Sequence, residues 1–110
     1  MDKNFGLRGT DLDEIISVLN GQTEVEEACI FGSRAIGNFK RGSDVDIALK
    51  GEELNFEITT HISYLLNEET SMPYKFDVLN YHTINSTDLS GHIDKVGIGF
   101  FTRQIILSTP

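Results

Sequence analysis

A chain of 110 residues is expected to form one domain, residues 1–110, with one modest core and no room for a separate substrate-binding domain. Its 39% hydrophobic content is that of an ordinary folded protein, and no apolar run approaches the roughly 20 residues that cross a bilayer, so no membrane role is expected. The net charge of −8, with nine lysines and arginines scattered along the chain, excludes the clustered basic face that grips a nucleic-acid backbone.

The acidic balance instead suits a neutral or basic protein partner, or a nucleotide carried with Mg²⁺; for most of the acids, simple solubility is explanation enough. Cys29 is the only cysteine, which rules out an internal disulfide. Beside Ile30 and Phe31 it reads as a buried structural thiol of a reducing, cytoplasmic protein. The polar first ten residues show no signal-peptide core.

In chain order, Thr10-Asp11-Leu12-Asp13 opens a helix, with Thr10 as N-cap and acids in the first turn to suit the helix dipole. Leu12, Ile15, Ile16 and Leu19 give it one apolar face, and Asn20-Gly21 ends it. Residues 25–31 form a nearly continuous apolar run, expected to be a central strand. Residues 33–36 make a short helix stopped at Gly37. The polar loop over 38–42 holds Lys40 and Arg41, read as solvated charges. A second strand over 45–49 turns Asp44 and Asp46 to one face and Val45 and Ile47 to the other, because alternate residues of a strand share a side.

Asn55 then caps a helix whose Ile58, Ile62, Leu65 and Leu66 form a buried stripe, and 68–73 is a loop. A third strand over 74–81 puts Phe76, Val78 and Asn80 on one face and Lys75, Asp77, Leu79 and Tyr81 on the other. Asp77 is the only acid in that apolar run, and a charge buried there is costly unless paired or bound to metal. Ser86-Thr87-Asp88-Leu89 begins a last helix with Leu89, Ile93 and Val96 on one face, and 97–101 forms a final short strand. Residues 103–110 read as a tail whose Ile105-Ile106-Leu107 patch a lone domain would hide. The expected fold is therefore α/β: a small mixed sheet with helices mainly on one face. The opposite face, carrying the carboxylates, would be an open cleft completed by a partner or a second copy.

Two blocks carry the chemistry: Phe31-Gly32-Ser33-Arg34-Ala35-Ile36-Gly37 and Gly42-Ser43-Asp44-Val45-Asp46-Ile47-Ala48-Leu49. At a Gly-Ser turn between strand and helix, backbone N–H groups favour an anion such as phosphate, and Gly32 lets it approach with no Cβ in the way. Arg34 adds positive charge suited to phosphate oxygens. Mg²⁺ is a hard ion that takes one or two carboxylates plus substrate phosphates. A phosphate cradle beside Asp44 and Asp46 is thus what a magnesium–nucleotide complex needs. Each feature also has an ordinary reading: Gly-Ser as a plain turn, Asp44 and Asp46 as surface acids, Arg34 as an exposed helix residue. Their spacing is what sets them apart.

That spacing resembles the nucleotidyltransferases of the DNA polymerase β superfamily, and most of all the free-standing minimal nucleotidyltransferases (MNT) paired with a small helical HEPN-type protein, often as antitoxin and toxin. The resemblance implies Gly32, Ser33, Arg34 and Ser43 at the nucleotide. Asp44, Asp46 and Asp77 would be catalytic and hold two Mg²⁺ ions, with Asp77 helping to deprotonate the attacking hydroxyl. It further implies transfer of AMP from ATP, or of another nucleotide, to a hydroxyl acceptor such as a tyrosine of the HEPN-type partner, with release of pyrophosphate. Two alternatives stand beside it. One is a non-catalytic nucleotide-binding module that neutralises its helical partner in a hetero-oligomer. The other is a small-molecule adenylyltransferase, although those usually carry a helical substrate domain. His61, His82 and His92 show no ligand spacing and read as structural or solvent-facing. Tyr64, Tyr74 and Tyr81 read as packing residues.

Overall fold

Ile30 and Ile47 face each other across the first two strands, and both are fully buried. The core grows outward from that pair. In the computed structural model, which describes residues 4–103, strands β1 (Glu27–Phe31), β2 (Val45–Lys50), β3 (Phe76–Asn80) and β4 (Ile98–Thr102) form one sheet in the order β3-β2-β1-β4. Helices α1 (Gly9–Asn20), α2 (Ser33–Ile36), α3 (Phe56–Glu68) and α4 (Thr87–Val96) complete it, with a single 3₁₀ turn at Tyr81–Thr83.

β1 pairs antiparallel with β2 and β4, while β2 pairs parallel with β3. A parallel pair needs a crossover, and α3 supplies it. The period of two then sorts the side chains. Ala28, Ile30, Val45, Ile47, Leu49 and Phe76 form one core with Ile15 and Leu19 of α1 and Ile62 and Leu66 of α3. Burying each of these larger side chains contributes about 1.5–3 kcal/mol. On the other face Phe31 and Ala48 meet Ile93 of α4, flanked by Cys29, Leu79, Tyr81 and Leu89. That face, expected to be open, is therefore partly covered by α4. Cys29 is only half-buried, and burial pushes its thiol pKa up. Asp77, expected inside a strand core, is exposed, because β3 is an edge strand.

The helix ends follow local chemistry. Asn55 Oδ1 accepts from the N–H of Ile58 at 2.8 Å, and Ser86 Oγ accepts from that of Leu89 at 3.2 Å. At α1 the cap is Arg8 rather than Thr10. The Asp11 carboxylate, 2% exposed, accepts from the Arg8 N–H and from its guanidinium, and takes a 2.7 Å hydrogen bond from the Tyr74 hydroxyl. Those bonds, led by Arg8, hold the Asp11 carboxyl below its usual range. Arg103, expected to begin a tail, donates to the carbonyls of Val25 at 2.9 Å, Gln22 at 3.0 Å and Leu19 at 3.1 Å, closing the end of α1. The Ile105-Ile106-Leu107 patch lies outside the described residues. Among those residues no helix is long and apolar enough to cross a membrane.

Candidate active site

β1 ends at Phe31, and the chain turns through Gly32 with φ +72° and ψ −153°, a conformation only glycine adopts readily. A Cβ there would lie 2.3 Å from Oδ2 of Asp46. The turn thus closes directly on the Asp46 carboxylate. Register explains why: Phe31 is opposite Asp46 across the antiparallel pair, and Asp46 is opposite Asp77 across the parallel one. Asp44 stands two residues upstream, at the entry to β2. The Asp46 carboxyl is pushed above its usual pKa by burial first, then by the charges of Asp77 and Asp44, with His92 and Arg34 acting the other way. The charges of Asp77 and Asp44 thus both reach the Asp46 carboxylate, which lies against the Gly-Ser turn.

Among the described residues no three carboxylate, imidazole or thiol groups are drawn together tightly enough to cage a metal ion by themselves. The donor set fits magnesium in a different way. Hard oxygens stand on two adjacent strands, and this ion characteristically completes its shell with water and substrate phosphate. Ser33 is the first residue of α2, where leading N–H groups have no carbonyl within the helix to bond.

Arg34, expected at the nucleotide, is bonded to backbone carbonyls instead, and Ser43 lies in the loop ahead of Asp44. Arg34 is buried, 4% exposed, and its guanidinium donates to the Ser43 carbonyl at 2.8 and 3.2 Å and to the Phe5 carbonyl at 2.9 Å. It also stacks on the rings of Phe39 and Tyr74, 5.1 and 5.2 Å from their centroids. Ser43 Oγ accepts from the Lys40 N–H at 2.9 Å, which tightens the turn ahead of Asp44. Arg34 and Ser43 together hold the loop that delivers Asp44. Lys40 and Arg41 are exposed, as expected.

His92 has a place that spacing did not reveal. Its ring meets that of Phe31 edge-on, with centroids 6.2 Å apart, on the side of the sheet that carries Asp46. The available signal was its position next to Ile93 on the buried stripe of α4. His82 Nε2 accepts from the Gly51 N–H at 3.2 Å, a structural role, and His61 is exposed. Tyr74 and Tyr81 pack, whereas Tyr64 is 51% exposed. Two hollows are lined by none of Asp44, Asp46 and Asp77. One of about 700 Å³ is bounded by Phe56, Val78, Leu79 and Leu89, and one of about 260 Å³ by Cys29, Lys50 and Asp94.

A family model described as polymerase beta, nucleotidyltransferase matches residues 13–105. By structure the chain is similar to a toxin–antitoxin crystal structure with AMP-PNP, at 22% identity and a TM-score of 0.70, covering 84% of this chain and 74% of that one. It is also similar to a structure of the toxin–antitoxin MntA-HepT, at 17% identity and a TM-score of 0.67, covering 87% and 74%. A third likeness is to a tri-AMPylated Shewanella oneidensis HEPN toxin in complex with MNT antitoxin, at 16% identity and a TM-score of 0.66, covering 88% and 74%. These structural likenesses are likenesses of fold. Among curated proteins none matches by sequence. With the match running through both motif strands and the turn between them, the chain belongs to the polymerase β nucleotidyltransferase family.

Proposed function

We propose that this chain transfers a nucleotidyl group, AMP from ATP, to a hydroxyl acceptor with release of pyrophosphate, and that the acceptor is a tyrosine of a HEPN-type partner. The observation that carries the reading is the alignment of Asp46 with Asp77 beside a glycine turn that only a Cβ-free residue can make. Asp44, Asp46 and Asp77 would hold two Mg²⁺ ions, whose chemistry when bound is to neutralise charge on the phosphates and on the attacking and leaving oxygens. Gly32 and Ser33 seat the β- and γ-phosphates through backbone N–H groups and the Ser33 hydroxyl. Asp77 is exposed on the edge strand, and in this reading it would take the proton of an incoming hydroxyl. Arg34 and Ser43 position Asp44 through the loop they hold. The nucleotide and partner assignments are supported by what the similar structures contain, AMP-PNP in one and an AMPylated HEPN toxin in another.

The test combines the purified chain, labelled ATP, Mg²⁺ and a HEPN-type protein encoded beside it. Label should appear on the partner and vanish with Asp44→Asn; no label on any acceptor overturns the reading. A second reading is favoured by the exposure of Phe56, 83%, and Ile36, 54%, apolar side chains that a partner would cover. In that reading the chain neutralises its partner by binding alone. It requires that an Asp44/Asp46 double variant still form the complex and still neutralise.

A further inference from the structure

Arg34 cannot serve the phosphates as the motif led us to expect, since its guanidinium is buried and bonded to two carbonyls. Beside the Ser33 hydroxyl, a triphosphate at the Gly32–Ser33 turn has room for a second side-chain donor, which Arg34 does not supply. α4 lies across the face of the sheet that carries the acids, and it brings one polar ring to that turn. His92 meets Phe31 edge-on at 6.2 Å, and Phe31 both precedes Gly32 and stands opposite Asp46. The ring is half-buried, so one side is held by packing while part of it stays accessible. Its electrostatic effect also reaches the Asp46 carboxyl, as does that of Arg34.

We propose that His92 is a nucleotide-binding residue, its imidazole N–H donating to a phosphate oxygen of the triphosphate seated at Gly32 and Ser33. This rests on the nucleotidyltransferase reading above. An imidazole suits the task because it donates a hydrogen bond whether neutral or charged. The edge-on contact with Phe31 fixes the plane in which it does so. α4 therefore acts as one wall of the nucleotide site as well as cover for the sheet.

The test is a titration of the full chain with a fluorescent ATP analogue and Mg²⁺, with displacement by inorganic tripolyphosphate to isolate the phosphate contact. His92→Phe keeps a flat ring against Phe31 and removes the donor; His92→Gln keeps a donor. We expect His92→Phe to weaken both ligands about tenfold or more, the loss of one hydrogen bond to a charged group, while its urea midpoint stays at the wild-type value. His92→Gln should stay within about threefold of wild type, since a donor remains. Wild-type affinity in His92→Phe overturns the inference and leaves the function standing. So does loss of affinity in both variants together with loss of stability, which marks a packing role. A wild-type chain that binds no nucleotide overturns the function and this inference with it.

Discussion

The carbonyl oxygen of Ser43 accepts two hydrogen bonds from the Arg34 guanidinium, at 2.8 and 3.2 Å, so the motif arginine grips the loop that leads into Asp44. A third bond to Phe5 and the rings of Phe39 and Tyr74 complete its surroundings. Arg34→Ala should therefore cost stability, about 3 kcal/mol for lost charge-assisted bonds and stem packing, read as a lowered urea midpoint. Arg34→Lys should recover only part of it, because an ammonium cannot fork across two carbonyls while stacked between rings. A direct phosphate ligand would behave differently, losing nucleotide affinity at an unchanged urea midpoint.

The two glycines that flank α2 separate close approach from backbone conformation. Gly32 and Gly37 both have positive φ, +72° and +98°, but a Cβ would meet Asp46 only at Gly32. Gly37→Ala should cost about 1 kcal/mol of stability, from the φ penalty alone, and leave transfer to the acceptor within about twofold of wild type. Gly32→Ala should cost more stability and displace the Asp46 carboxylate, lowering transfer at least about a hundredfold. Equal activity in the two variants would mean that the contact with Asp46 has no part in the chemistry.

Most of this fold was legible because its signals are local. Asn55 and Ser86 announce helix starts, Gly37 a helix stop, and the alternation of Val45, Asp46 and Ile47 sorts sheet faces without knowledge of any neighbour. The misreadings are all non-local. Thr10 is a better cap by type than Arg8, but Asp11 bonds back to Arg8 because Tyr74, 63 residues away, holds it in place. Asp77 looked buried because nothing in its own strand says that β3 lies at the sheet edge. Arg34 looked like a phosphate ligand because its carbonyl partners, Phe5 and Ser43, flank the motif helix from both sides in sequence. That Asp46 stands opposite Asp77 follows from strand register, which the hydrophobic pattern fixes.

Burial first, then the charges of Asp77 and Asp44, work against Asp46 ionisation, and a bound cation would relieve that repulsion. Mg²⁺ with a non-hydrolysable nucleotide should therefore raise the melting temperature of the wild-type chain, because it binds the folded state alone. EDTA should return the temperature to its starting value. At a hundredfold excess of complex over its Kd the gain is about 2.7 kcal/mol. Asp46→Asn should show little of this gain, and without metal it should melt no lower than wild type at neutral pH. Equal stabilisation of both proteins would place the nucleotide elsewhere on the chain.

Asp11, through its lowered pKa, sets a pH dependence of stability. Its carboxyl is held below the usual range, chiefly by the hydrogen bonds from Arg8, with the Tyr74 hydroxyl adding to the same effect. A carboxyl whose folded pKa is lowered binds protons less readily in the folded than in the unfolded chain. Its contribution is therefore complete above the unfolded value of about 4 and is lost as pH falls through the lower folded one. Asp11→Asn removes the charge at every pH. Urea midpoints of the two proteins should then differ most near pH 7, keep that gap down to about pH 5, and converge in stronger acid. A gap of constant size down to pH 2 would assign the effect of Asp11 to shape and neutral hydrogen bonding, and would take from Arg8 the role given to it here.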